Sequence, residues 1–339
     1  MSQLTPRTYR LILSFSYAAY LSGCGDFSTD VERYSDLDRL RVLAVRSTPA
    51  DLAPGETATL SALVFEPKGR DVSYEWSWCP ARSDESGAFK CTISEKALRK
   101  AWADTGSSDE LPSYDLGSGP EATFTHVFTP TLLTSVCESL SANAANPEQA
   151  TLACLFGLEV SISLHVRSSK SEVTALKPLV LLNDNPAAAK RNVNPEPGST
   201  LSVRDLTNNS RLKSGESVRA GHKYSLTAEV QTETAQTFTA APTTTEPDPE
   251  PHRETLIMSW FMTEGTPVSA DADAADSFGG DSERTTFVDG YNEFDGLVTN
   301  GWQLPLTAGP QDAQVIVVLR DERGGVGWSG QQFHVEEAK

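Results

Sequence analysis

Apolar and polar residues alternate along most of the chain from residue 40 onwards, and a period of two fits the pleat of a β-strand. Turns containing Gly, Pro or Asp separate the alternating stretches. The clearest stretches lie at residues 57–64, 72–78, 160–166, 224–230 and 256–262. Each such strand has one apolar face to bury, so the sequence predicts an all-β protein.

The chain has 339 residues, which suggests two domains. Residues 184–198, rich in Asn, Pro and Ala, separate two halves with the same order of features. In each half a turn leads into an alternating strand, then a strand with a central Trp, a long excursion, a strongly apolar strand and a final strand. We therefore predict domain 1 at 39–183, a linker at 184–198 and domain 2 at 199–339.

Both predicted domains carry a long excursion from the strand pattern. In domain 1 an insertion covers about residues 80–156, and its segment Glu95–Ala103 has the composition of a helix. In domain 2 the stretch 232–251 is rich in Thr and Pro. Such a stretch is too polar to pack, so it predicts an extended loop.

This order of strands resembles that of immunoglobulin-like β-sandwiches, including the PKD-like domains common on bacterial surfaces. The residues that carry the resemblance are Trp76 or Trp78 in the first half and Trp260 in the second. Such folds often bury a Trp of the third strand against the opposite sheet. The resemblance implies two immunoglobulin-like sandwiches in tandem, although the usual cysteine pair between the sheets is missing from both halves.

The N-terminus has the three parts of a secretory signal. Met1–Arg10 is polar with two arginines, Leu11–Tyr20 is an apolar run of ten residues, and small residues follow. The run is far shorter than the ~20 residues that a membrane-spanning helix needs. Residues 1–23 are therefore predicted to be removed, and the polar residues 24–38 are predicted to form a tether.

The segment Leu21-Ser22-Gly23-Cys24 resembles the lipobox of bacterial lipoproteins. The resemblance implies cleavage before Cys24, a diacylglyceryl thioether on its sulfur and a further acyl chain, commonly palmitate, on its amino group. Two or more acyl chains hold a protein stably on a membrane. Gly25, where Asp would favour the inner membrane, leads us to expect the outer membrane. The alternative is an ordinary secreted protein in which Cys24 pairs with another cysteine.

The net charge of the chain is −18, and removal of Arg7 and Arg10 with the signal leaves 46 acidic against 26 basic residues, or −20. So acidic a surface repels phosphate backbones, which argues against nucleic acid as a partner. It also repels anionic lipid headgroups, so membrane attachment requires a hydrophobic anchor.

The four other cysteines are Cys79, Cys91, Cys137 and Cys154. An exported protein meets an oxidising compartment, so we expect disulfides. The local pairing joins Cys79 to Cys91 and Cys137 to Cys154, whereas the nested pairing joins Cys79 to Cys154. No C-x2-C spacing occurs among them, which argues against zinc.

No catalytic motif is present: the sequence has no H-E-x-x-H, G-x-S-x-G or Walker A pattern. The five histidines are scattered, and His126 and His165 lie in predicted strands. We therefore predict that the protein is not an enzyme and needs no cofactor. A hydrolase whose residues meet only in space is the alternative.

Two local features are candidate ligand sites. Asp271, Asp273, Asp276 and Asp281 crowd one stretch with glycines, as flexible calcium loops do, although the EF-hand spacing fails. A solvated acidic loop is the alternative. Trp328 follows a Gly-rich turn and could offer a flat face to a sugar or a protein, although it could equally pack in the core.

The function class that these features favour is a lipid-anchored binding or structural module of the cell envelope. Its expected partner is another envelope protein or a polysaccharide, contacted by loops on a rigid scaffold. An accessory subunit of an envelope secretion or motility complex is the second candidate.

Overall fold

The computed structural model describes residues 37–81, 91–104, 110–131, 133, 136, 157–184, 191–213, 215–230, 234–239, 250–268, 285–288 and 297–338. Nearly all regular structure in these ranges is β-strand, as the alternation predicts. The strands form two successive sandwiches, each of two antiparallel-rich sheets, and the chain between Leu181 and Pro197 connects them.

The first sandwich consists of two antiparallel sheets and a helix. Its elements are β1 (Arg41–Thr48), β2 (Thr57–Phe65), β3 (Val72–Cys79), α1 (Glu95–Asp104), β4 (Asp115–Gly117), β5 (Glu121–Thr125), β6 (Leu158–Ser168) and β7 (Glu172–Leu181). One sheet has the order β1-β2-β5 and the other β4-β3-β6-β7. The chain therefore crosses between the sheets after β2, β4 and β5, as in a Greek key.

The tryptophans of β3 form the centre of this core. Trp76 and Trp78 are both buried, and Trp78 packs edge-to-face on Phe124 of the opposite sheet with ring centroids 5.0 Å apart. The indole of Trp78 donates to the carbonyl of Ser113 at 2.8 Å, so its polar atom is satisfied. The sequence prediction of a buried Trp on the third strand is confirmed.

Helix α1 lies in the insertion of the first sandwich, one residue longer than predicted. Ser94 caps it, because its hydroxyl accepts the amide hydrogen of Ala97 at 3.3 Å. Its apolar side chains, Leu98 and Trp102, are buried, and Trp102 packs edge-to-face on Phe128. The helix thus belongs to the core of the first sandwich.

The second sandwich has two five-stranded sheets and a short accessory ribbon. Its strands are β8 (Pro197–Asp205), β9 (Ser210–Leu212), β10 (Val218–Arg219), β11 (Lys223–Val230), β12 (Thr237–Phe238), β13 (His252–Arg253), β14 (Leu256–Met262), β15 (Thr266–Val268), β16 (Thr285–Val288), β17 (Leu297–Gln303), β18 (Gln311–Asp321) and β19 (Val326–Glu336). The sheet orders are β15-β17-β11-β8-β9 and β10-β19-β18-β14-β16, and β12 pairs with β13.

Both sandwiches share one plan. The strand with the buried Trp, β3 or β14, lies beside the first strand of the last hairpin, β6 or β18. The preceding alternating strand, β2 or β11, lies in the opposite sheet. This crossing pattern is that of immunoglobulin-like sandwiches, so the predicted fold class is confirmed.

The sheet containing β14 and β18 departs from simple alternation. Residues Ser259–Met262 and Val315–Leu319 are almost continuously buried, on both faces of the sheet. An outer face of an antiparallel sheet is normally solvated. Here the inner face packs in the second sandwich, whereas the outer face is covered by the first sandwich.

Candidate functional site

Several predicted site residues lie outside the described residues. These are the lipidation cysteine Cys24, the acidic residues Asp271, Asp273, Asp276 and Asp281, and the cysteines Cys137 and Cys154. The lipid anchor and the calcium loop therefore stay predictions from the sequence. No helix among the described residues is long and apolar enough to cross a membrane.

A disulfide joins Cys79, the last residue of β3, to Cys91 in the insertion, with the Cα atoms 5.6 Å apart. This bond belongs to the local pairing and is incompatible with the nested pairing of Cys79 with Cys154. It closes a short loop ahead of α1. Helix α1 is thereby tied to the strand whose tryptophans form the core.

The described histidines contact carboxylates or backbone groups. His222 lies 2.7 Å from Asp205, His252 lies 3.0 Å from Glu322, His165 lies 3.5 Å from Glu172 and His334 lies 3.3 Å from Asp312. Burial opposes ionisation of Asp205, but the hydrogen bonds from His222 and Thr207 outweigh it and lower the pKa of that carboxyl. These pairs hold loops and strand edges together.

His126 lies outside the strands, although the sequence predicted it within one. The ring is fully buried just after β5. Its Nε2 lies 2.9 Å from the carbonyl of Leu182, and its Nδ1 accepts the amide hydrogen of Phe128 at 3.2 Å. Burial lowers the pKa of His126, although the bond to Leu182 and the charge of Glu56 oppose this. A neutral ring that donates from Nε2 fits these partners.

The densest cluster of buried polar side chains lies at the junction between the two sandwiches. We define the junction as the set of apolar and polar contacts that β1, β7 and residues 51–56 make with residues 191–197 and with the second sandwich. Among the described residues, no three His, Cys, Asp or Glu side chains are grouped to hold a metal ion. The junction is therefore the candidate site that the geometry offers.

An apolar cluster forms one part of the junction. Its members come from both sandwiches: Leu37, Leu43, Ala44, Phe261, Ile316, Val318 and Val326 are buried, and Leu63, Phe65 and Trp328 pack at its edge. This cluster explains why β14 and β18 lack alternation, because their outer faces meet β1. Its burial favours one fixed docking arrangement of the sandwiches.

Arg191 anchors the connecting segment to the first sandwich. Its Nε donates to Asp51 Oδ1 at 3.0 Å, its Nη2 to the Asp51 carbonyl at 2.7 Å and its Nη1 to Glu56 Oε1 at 2.7 Å. The amide of Asn192 donates to the other oxygen of Asp51 at 2.9 Å. The hydrogen bond from Arg191 lowers the pKa of Glu56. Such charge-assisted, multidentate bonds are among the stronger polar contacts in proteins.

The same segment is bonded to the second sandwich. Asn194 donates from Nδ2 to the carbonyl of Ser47 at 2.8 Å and accepts the amide hydrogen of Val326 at 3.0 Å, so one side chain bridges both sandwiches. The amide of Val193 donates to Gln236 Oε1 at 2.9 Å. Gln236 precedes β12, so part of the Thr- and Pro-rich stretch is packed against the junction.

The turn between β18 and β19 supplies the remaining polar groups. Asp321 Oδ1 accepts the amide hydrogens of Arg323 at 2.9 Å and Gly325 at 2.6 Å. Arg323 Nε donates to Glu254 Oε1 at 2.5 Å. Lys177 of β7 reaches across from the first sandwich and donates to the carbonyl of Gly324 at 2.5 Å. Burial lowers the pKa of Lys177 to about 8, against the charges of Asp321 and Glu159.

Trp328, a candidate ligand-binding residue, lies at the edge of the junction. Its ring is partly exposed, it packs against the apolar cluster, and the guanidinium of Arg46 lies 5.8 Å from the ring centroid. Arg46 also pairs with Glu196 at 2.7 Å. Contacts within the chain thus occupy much of the ring, and a packing role accounts for its position.

Sequence reasoning missed the junction, although two signals pointed to it. The run Val315–Leu319 is apolar without alternation, which indicates a strand buried on both faces. Lys177 interrupts an apolar strand, which indicates a charge with a buried partner. The polar residues 191–194 gave no such signal, because a polar linker is normally solvated.

No known family model matches the sequence, and no curated protein matches it. Solved structures that resemble the chain include native alpha-2-macroglobulin of E. coli, with 9% identity and a TM-score of 0.23; the match covers 88% of this chain and only 17% of the length of that one. The C-terminal domain of the antigen I/II-family protein AspA of Streptococcus pyogenes matches with 8% identity and a TM-score of 0.22, over 87% of this chain and 99% of that one. A chimeric titin tandem matches with 10% identity and a TM-score of 0.23, over 88% and 100%. Similarity this low adds nothing to the strand order, on which the fold assignment rests.

Proposed function

We propose that the protein is a non-catalytic binding or structural module of the bacterial cell envelope, held at a membrane surface by lipid on Cys24. The junction is the observation that carries this proposal. Two sandwiches on a free linker sample many relative orientations. Here Arg191 and Asn194 bond the linker to the chain on both sides, and an apolar cluster fills the space beside it.

A fixed pair of sandwiches suits presentation rather than catalysis. Loops at the ends of a rigid scaffold are the usual contact surfaces of such folds. The insertion at about residues 80–156 and the loops of the second sandwich are the proposed contact surfaces. The partner that we propose is an envelope protein or a polysaccharide, because the net charge of −18 disfavours nucleic acid and anionic lipid.

The anchor is tested by expressing the full chain in a bacterium with an outer membrane and supplying a labelled fatty acid. The wild type should carry the label and sediment with washed membranes, and outer-membrane fractions should contain it. Replacement of Cys24 by Ala should abolish labelling and release the protein. Ser22→Ala, which keeps a small residue near the cleavage point, is the matched control and should still be labelled. A Cys24→Ala variant that stays in washed membranes would refute the anchor.

The binding role is tested with the detergent-solubilised protein and immobilised envelope polysaccharide. A polysaccharide binder should be retained by the immobilised polysaccharide, and the saccharide should be chemically unchanged after the protein is eluted. A protein binder should pass through and instead crosslink to a defined envelope protein in intact cells. Turnover of the saccharide, abolished by substitution of a single side chain, would overturn the non-catalytic assignment.

A further inference from the structure

Two buried oxygen atoms at the junction lack a hydrogen-bond donor among the described residues: Asn192 Oδ1 and Asp321 Oδ2. Both side chains are more than nine-tenths buried, with 6% exposure each. A buried acceptor without a donor costs on the order of 1–3 kcal/mol. Two such atoms in one contact therefore suggest that they share one hydrogen atom.

The two side chains already face each other. Asn192 donates from Nδ2 to Asp321 Oδ1 at 3.5 Å, a long hydrogen bond. A carboxamide and a carboxyl group are both planar with two adjacent polar atoms. The polar atoms of the two groups that have no partner are Asn192 Oδ1 and Asp321 Oδ2, and both are acceptors when the carboxyl group is ionised.

The charged groups that interact directly with Asp321 are Lys177 of β7, Arg323 of the turn and Glu254. Glu159 also interacts with Lys177, and Asn192 donates to Asp51, which pairs with Arg191. Arg191 is bonded to Asp51 and Glu56, Arg323 to Glu254, and Lys177 to backbone carbonyls. Asp321 has no guanidinium or ammonium bonded to it in the hydrogen bonds of the described residues.

We propose that Asp321 Oδ2 holds a proton and donates it to Asn192 Oδ1, so that a cyclic acid–amide pair closes the junction. One added proton then gives both unpartnered oxygens a hydrogen-bond partner. Gly325 lies directly against Asp321 Oδ2, since a Cβ at position 325 would overlap that oxygen. The oxygen is thereby covered by protein, which disfavours its ionised form.

The direction of the Asp321 titration agrees with this geometry. Burial raises the pKa of Asp321, although the hydrogen bonds from Gly325 and Asn192 oppose the rise. Above the ordinary pKa of 3.8 the unfolded chain releases the proton while the folded chain retains it. The stability that the proton contributes is therefore full below 3.8 and is lost as the pH rises through the folded pKa.

The test compares wild type and Asp321→Asn in the full chain, as purified in detergent. An asparagine keeps Oδ1 as acceptor for the two backbone amides, and its Nδ2 replaces the proposed hydrogen donor. We expect the two proteins to have similar Tm values near pH 3.8. As the pH rises to neutral, the variant should become the more stable protein by roughly 2–4 °C in Tm.

Asp205→Asn is the matched control, because Asp205 is also a buried carboxyl at a strand end of the second sandwich. Its pKa is lowered, so its ionised form is the stabilising one. The control should therefore be less stable than wild type at neutral pH, and the difference should shrink on acidification. If Asp321→Asn behaves like this control, the proton proposal is overturned.

Infrared spectroscopy of the wild type and the variant tests the proposal without any comparison of stability. A protonated carboxyl absorbs apart from a carboxylate, and a band missing from Asp321→Asn identifies the group. We expect this band to persist above pH 3.8, the ordinary pKa of an aspartate. Loss of the band at or below 3.8 would show an ionised Asp321 and refute the acid–amide pair. Neither measurement depends on the membrane anchor.

Discussion

His126 holds three parts of the first sandwich together through its ring and its backbone N–H and carbonyl groups. Its backbone carbonyl accepts from Gly55 at 2.8 Å and its amide donates to the carbonyl of Glu56 at 2.8 Å, while the ring reaches Leu182 and Phe128. Glu56 is also bonded to Arg191. The protonation state of one buried ring therefore bears on the side of the first sandwich that forms the junction.

Replacement of His126 by Gln should cost about 1–3 kcal/mol at neutral pH, because the amide reproduces only part of the ring's contacts. The pKa of His126 is lowered from 6.5, so its contribution is present above 6.5 and is lost as the pH falls through the folded pKa. Denaturant unfolding at several pH values should show that the difference in free energy of unfolding between wild type and variant decreases on acidification.

The control for this prediction is His334→Gln, since His334 is an exposed residue of β19 that pairs with exposed Asp312. It should change stability by less than about 0.5 kcal/mol at any of these pH values. If the difference in free energy of unfolding between wild type and His126→Gln stays constant with pH, the assignment of a neutral, buried ring is contradicted.

At the level of elements, β18 and β19 connect the core of the second sandwich to the junction. The outer face of β18 carries Ile316 and Val318 against the first sandwich. On β19, Gly327 lies under the connecting segment, where a Cβ would overlap the carbonyl oxygen of Pro195. The glycine is needed there for close approach of two backbones.

Gly327→Ala should separate the segment at Pro195 from β19 and destabilise the protein by roughly 1–3 kcal/mol. Gly330→Ala on the same strand is the matched control, because a Cβ there meets its neighbours at ordinary contact distances of 3.5 Å or more. Thermal unfolding of both variants measures the difference. Equal Tm values for the two variants would show that the carbonyl of Pro195 does not sterically exclude a Cβ at position 327.

The elements also show how far the sequence predicts this fold. Alternation placed the core strands, and Trp78 and Trp260 are buried as the third-strand pattern indicates. The helix Glu95–Asp104 matches its composition. The polar pairings at the junction could not be predicted, because they join residues far apart in sequence: Arg191 meets Asp51, and Lys177 meets Gly324. Local patterns carry no information on such pairings.

For the whole molecule, the junction turns two immunoglobulin-like sandwiches into one body. Lys177 and Arg320 cross between the sandwiches by hydrogen bonds to the carbonyls of Gly324 and Leu43. Asn194 bridges both, and the apolar cluster lies beside these bonds. A body of this kind, carried on a lipidated tether, would present its loops at a fixed separation, which is the basis of the proposed binding or structural role.

Calorimetric unfolding of the full chain tests this claim most directly. If the junction couples the sandwiches, they should unfold in one transition, with equal calorimetric and van't Hoff enthalpies. Arg191→Ala, which leaves Asp51 and Glu56 without their cation, should lower Tm and split the transition in two, whereas Arg191→Lys should fall between it and wild type. Two separate transitions in the wild type, at temperatures unchanged by Arg191→Ala, would show that the sandwiches are independent and would contradict the account.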